Sequence, residues 1–301
     1  MTGTQAVEIR KRVEREAHRR RAALRGVLTQ VVAQVLLFVL AFFLLLPLLF
    51  MVSTSLKVTG KEFTYPPEFI PRPVVWRNYI EAMTQPGLPF AIFYKNTIYI
   101  TLLSIAGNLI TASMAGFAFG RLRFPLRDKL FILVISTMML PFAVTMVPTY
   151  LLFNAVGWLN TFKPLWIPHW FGGGAFNIFL FRQYFRTIPI ELDEAARIDG
   201  AGNWHIWLGI CLPLSQPVIA TVAIFSFISG WTDFMGPLIY LNSMDKRTIA
   251  LGLYAFVDQY SAGWNYMMAA TTLSILPIVL VFVLGQRYFV RGITMTGMAG
   301  R

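Results

Sequence analysis

Cysteine occurs once, histidine three times, and charged residues make up only 13% of this 301-residue chain. The lone Cys211 excludes an internal disulfide and a cysteine-only metal site. His18, His169 and His205 are scattered, which argues against a metal centre. A nucleotide-binding loop is missing. The only Gly-Lys pair, Gly60-Lys61, is followed by Glu62, and Ser55 stands where the first glycine of that motif belongs. H-E-x-x-H and G-x-S-x-G are absent as well, and no histidine is paired with a nucleophile by a known spacing. The chain is therefore expected to be no enzyme and to hold no cofactor of its own. If it takes part in active transport, the energy must enter from another subunit.

What is present is apolar. Hydrophobic residues reach 56% and the mean hydropathy is +0.60, whereas a soluble domain carries about a quarter charged residues. The expected fold class is all-α: a polytopic integral membrane protein with six transmembrane helices and a cytoplasmic loop. Roughly 20 apolar residues cross the hydrocarbon. The spans fall at about 27–52, 96–120, 130–152, 165–185, 217–241 and 266–288. Residues 53–90 are rich in proline, so they are expected to be irregular and outside the lipid. In the second span Ala112, Gly116 and Gly120 recur every four residues and form a face another helix can approach closely. Pro141, Pro148, Pro168, Pro237 and Pro277 interrupt helical hydrogen bonding, either as working bends or as static kinks.

The net charge is +12, and topology explains it better than nucleic acid does. Residues 1–26 form a basic extension holding eight Lys or Arg, read as a cytoplasmic anchor beside the first span. It is not a cleavable signal, since the apolar run behind it is too long and lacks a small-residue cleavage site. Residues 27–301 are expected to form one transmembrane domain. Eighteen of the 26 basic residues fall on the side of the termini. The positive-inside rule thus places both termini and the loop before the fifth span in the cytoplasm.

That loop, 189–213, is the longest polar-bearing interruption in the apolar second half. Glu191, Asp193 and Glu194 stand in one turn, and acids suit a helix's first turn, as Pro189 suits its first position. Gly200 and Gly202 then interrupt the helix, and the run from Trp204 to Leu208 is apolar and aromatic. The expectation is a helix, a glycine elbow and a second short helix projecting as a docking knob for a partner.

Glu194-Ala195-Ala196, Gly200 four residues later, then Ile210, Leu212 and Pro213, match E-A-A-x3-G-x9-I-x-L-P at every fixed position. The stretch resembles the EAA loop of binding-protein-dependent ABC importer permeases. The resemblance covers about 92–297. It implies that the loop seats in a cleft of an ATPase subunit, with Glu194 pairing a basic residue there, Ala195 and Ala196 allowing close approach and Gly200 making the elbow; Asp199 belongs to the same set. ATP and magnesium would lie in that partner. The tail from Gln286 to Gly297, Q-R-Y-F-x-x-G-I-x-x-x-G, resembles the carbohydrate branch, in particular the second, six-span maltose-type permease. By that resemblance Gly292 and Gly297 reach the ATPase interface. The implied partners are a homologous permease, two ATPase subunits, a solute-binding protein and a prokaryotic inner membrane, with no nucleic acid. The implied solute is a sugar or oligosaccharide, with glycerol phosphate or an amino acid as alternatives.

Asp233 is the acid clearly inside an expected span, and a charge there costs at least about 2.5–3.5 kcal/mol at the helix centre. It and Trp231 read either as the wall of a translocation path, where an aromatic face can stack on a sugar, or as residues near the outer interface. Asn108 and Asn177 are weaker path candidates that also read as helix–helix hydrogen bonds. An ion-coupled secondary transporter would need more intramembrane ionisable residues than Asp233.

Overall fold

A computed structural model describes the backbone of residues 3–85, 87–259 and 263–297, and the side chains of 26–85, 87–256 and 263–286. No strand occurs among the described residues. Helix α1, Gly3–Ser55, runs unbroken from the basic extension through the first span. Helix α2, Arg77–Thr84, is a short helix in the proline-rich loop. That loop is tied down rather than loose. The Asn78 amide donates to the carbonyls of Ser55 and Lys57, and buried Lys57 donates to Glu62 O at 2.9 Å.

Helix α3, Phe90–Arg121, is the axis of the molecule. Helices α4, Arg127–Ser136, and α5, Phe142–Ala155, follow, bent by 98° at a break that contains Pro141. Proline at that point cannot donate to the preceding turn, so the ladder stops there. Helix α6, Lys163–Trp166, leads through a 3₁₀ turn to Gly172, Gly173 and Gly174, all at positive φ, and then to α7, Ala175–Phe185. Helices α8, Glu191–Ile198, α9, Asn203–His205, and α10, Leu212–Leu214, make the polar loop. Helix α11, Gln216–Trp231, and α12, Met235–Tyr240, are separated by three residues. Helix α13, Ile249–Gln259, precedes the closing α14, Trp264–Gly297.

The all-helical membrane architecture agrees with expectation, but six continuous spans do not appear. Among the described residues three helices are long and apolar enough to cross a bilayer: α1 from Gly26, α3, and α14 to Gln286. Two bent pairs, α4 with α5 and α9–α10 with α11, bring the number to five. The expected fourth span is broken by its glycine triplet and the expected fifth by residues 232–234. Hydropathy averages over such breaks and cannot see them.

Packing follows the small residues. A Cβ on Gly116 would lie 2.5 Å from Phe181 Cβ and 3.0 Å from Arg182 N, so α7 rests directly on the α3 backbone. Gly173 stands equally close to Ala112. Ala112, Phe117, Phe181, Phe185, Ile206 and Cys211 belong to one buried cluster that joins α3, α7 and the polar loop.

Candidate coupling loop and membrane cavity

The α8 helix begins two residues after Pro189, with Ile190 as its N-cap, so that proline precedes the first turn rather than occupying it. Of the three acids only Glu191 and Glu194 are exposed. Asp193 is buried against Arg121, the last residue of α3, with Nε and Oδ2 3.7 Å apart and both side chains 4% exposed. Arg121 also donates to Ile188 O at 2.7 Å. One arginine therefore fastens both the start of α8 and the chain before it to α3. Burial raises the Asp193 carboxyl above its ordinary range, and the nearby Arg121 and Arg197 cations oppose that rise.

The end of α8 explains the alanine-to-glycine spacing. Gly200 has φ +86°, its N–H donates to Arg197 O at 3.1 Å, and the Ala201 N–H reaches back to Ala196 O at 2.8 Å. That is a Schellman ending, which needs a left-handed residue four places after Ala196, where glycine carries no steric penalty. Arg197 then bridges the elbow, donating to Asn203 Oδ1 at 2.8 Å. Beyond the elbow, residues Ile206–Cys211 form a π-helical turn, and Leu212 N–H donates to Trp207 O. This turn buries Ile206, Trp207 and Cys211 while Trp204 and Leu208 stay exposed. Ile210 and Leu212 pack partly against the cluster, and Pro213 is exposed. The outer face of the loop thus carries Glu194, Ala195, Asp199, Trp204, Leu208 and an Ile198 that is 87% exposed.

The second region lies beside the middle of α3. Asn108, Asp233, His169, Ser226, Ser229 and Thr248 line one cavity of about 390 Å³. Asn108 Nδ2 donates to Ser226 Oγ at 2.8 Å, and Asn108 Oδ1 lies 3.1 Å from His169 Nδ1. It therefore ties α3 to α11 and to the turn before the glycine triplet, and also faces the cavity. Asp233 accepts the Gly236 N–H at 3.1 Å across the break before α12. Trp231 is placed elsewhere. It is 4% exposed, its indole donates to Ser274 O at 2.9 Å, and its ring stacks on Phe227. Its face is therefore open neither to a solute nor to the interface, contrary to both expectations. Asn177 donates to Gly173 O, closing the glycine turn. The backbone of α14 reaches Gly297, but the surroundings of Gly292 and Gly297 lie outside the described side chains. Arg121, Thr248 and His169 were not singled out from sequence as site residues. Arg121 counted only as one more cytoplasmic cation.

Residues 107–295 match the family of binding-protein-dependent transport system inner membrane components. The chain belongs to this family. The sn-glycerol-3-phosphate transport system permease protein UgpE of Brucella abortus (strain 2308) is 36% identical over 256 residues, 82% of this chain and 90% of the relative. The arabinooligosaccharides transport system permease protein AraQ of Halalkalibacterium halodurans is 32% identical over 251 residues, 83% of this chain and 88% of that one. Among solved structures, a chain of a bacterial ABC transporter involved in the import of the acidic polysaccharide alginate superposes with TM-score 0.75 and 26% identity. It covers 87% of this permease and 96% of that chain. The molecule is thus a multi-pass permease subunit of an ABC importer.

Proposed function

We propose that this permease forms half of the translocation path of an ATP-driven importer for a sugar or oligosaccharide, and that residues 191–213 couple it to an ATPase. The observation that carries this reading is the two-sided character of α8. Its inner side is fixed to α3 by Asp193 and Arg121, while Glu194 and Ile198 stand uncovered on its outer side. A partner with a cation and an apolar groove can grip the outer side. Movement of that partner is then passed through Arg121 into the helix that borders the cavity roughly 20 Å away, at about 1.5 Å per residue from Arg121 to Asn108.

The complete importer contains a homologous permease, two ATPase subunits and a solute-binding protein outside the membrane, with ATP and magnesium held by the ATPases. Both termini and the α8 elbow face the cytoplasm of a prokaryotic cell, and Gly292 to Gly297 reach the ATPase interface. Support for a sugar comes from the relative named for arabinooligosaccharides and from the importer of the acidic polysaccharide alginate, whereas the relative named for glycerol 3-phosphate favours the alternative. Glu194→Lys places a cation where a cation is to be met. It is expected to abolish ATP-dependent uptake in cells while the protein remains in the membrane fraction at wild-type amount. Undiminished uptake refutes the coupling role.

A further inference from the structure

The cavity beside α3 carries a chemical preference that family membership does not supply. Its polar groups come from separate elements: Asn108 from α3, Ser229 from α11, Asp233 from the break before α12, and Thr248 from the segment ahead of α13. Thr248 is 3% exposed and its Oγ1 is buried without a hydrogen-bond partner among the described residues. A buried hydroxyl is normally satisfied by protein, water or ligand. Ser229, in contrast, is exposed into the cavity. Asp233 uses Oδ1 on Gly236 and makes no ion pair among the described residues. Neither lysine nor arginine lines the space, and the histidine there, His169, is turned to Asn108. Leu165, Ile100 and Phe142 supply apolar wall. The volume of about 390 Å³ falls within the range of small-molecule sites, roughly 300–1,000 Å³.

We propose that this cavity is a subsite for an uncharged, hydroxyl-rich solute and that Asp233 makes it reject phosphate esters. The inference rests on the importer reading and narrows its substrate class. Sugar hydroxyls donate to Asp233 and accept from Ser229, and the apolar wall covers C–H faces. A phosphate brings negative charge beside Asp233, into a space of low dielectric where no lysine or arginine offsets it. The glycerol 3-phosphate relative therefore predicts this chain's fold better than its cargo.

The test uses the fully assembled importer in detergent, carrying Ser229→Cys with Cys211→Ala so that one thiol remains in this chain. Ser229→Cys changes a single atom at an exposed position, and a Cys211→Ser background serves if the alanine fails to assemble. Labelling rates are measured with a neutral and a sulfonated thiosulfonate reagent. The neutral one is expected to react at least about tenfold faster, with the gap closing to within about threefold in Asp233→Asn. Maltotriose or arabinotriose is expected to slow labelling, and sn-glycerol 3-phosphate is not. Equal rates for the two reagents overturn the proposal, as does protection by glycerol 3-phosphate matching that by the neutral sugars. So does a thiol that no reagent reaches. If the complex imports a neutral oligosaccharide yet that solute does not protect the thiol, the importer reading survives and the subsite falls. If no solute is taken up with ATP, the importer reading itself fails, whatever the labelling.

Discussion

Arg121 and Asp193 are where single residues matter most. Both side chains are almost fully buried, and Asp193 Oδ1 and Arg121 Nε have no hydrogen-bond partner, so each charge depends on the other. Removing one partner of such a pair costs more than removing both, because a buried charge is left uncompensated. Arg121→Leu is expected to destabilise the assembled, detergent-solubilised complex by about 3–5 kcal/mol, and Arg121→Leu with Asp193→Leu to recover much of that, by thermal unfolding. The pH dependence has a definite sign. Burial already raises the Asp193 carboxyl, and loss of Arg121 raises it further. An acid whose folded pKa lies above its unfolded value gains stability as pH falls through that window. The penalty of Arg121→Leu should therefore shrink from about pH 8 to about pH 5, and a pH-independent penalty would count against an ionised Asp193. The sequence showed Asp193 as one of three helix-start acids. Only its position on the inner side of α8 separates it from Glu191 and Glu194.

At the scale of elements, the α3–α7 contact and the elbow are set by glycines in different ways. Gly116 is a matter of space, and a side chain there must push α7 away. Gly116→Ala is expected to cost about 1–3 kcal/mol and to lower the yield of assembled complex. Gly120→Ala, whose Cβ would meet Arg182 O at an ordinary 3.4 Å, should be tolerated. Size-exclusion profiles of the two variants separate them, and equal losses would refute the packing account. Gly200 is a matter of conformation, because its φ is +86° while nothing lies within 4 Å of a Cβ. The small-residue face of α3 was legible in the four-residue spacing, and so was the elbow. The breaks inside the expected fourth and fifth spans were not, because apolar content stays high across residues that leave the helix.

Across the whole molecule, the apolar face of α1 from Gly26 onward stays uncovered, and the α8–α10 elbow projects without a partner. The permease is therefore built to be completed by lipid and by other chains. Reconstituted alone, it is expected to show no ATP-dependent uptake. Uptake should appear only with a second permease, the ATPases and the binding protein together, and transport by the single chain would favour an ion-coupled mechanism instead. The sequence alone determined that the chain is helical and crosses a membrane, because apolar run length and charge asymmetry are local properties that a bilayer reads directly. It also determined where the α8 elbow bends, because a left-handed glycine after an alanine pair is a local requirement of helix termination. Tertiary structure alone decided that Asp193 meets Arg121, that Trp231 is core, and that Asn108, Asp233 and Thr248 share one cavity. Those residues lie far apart in the chain, and only the packing of α3 against α7 and α11 brings their side chains within reach.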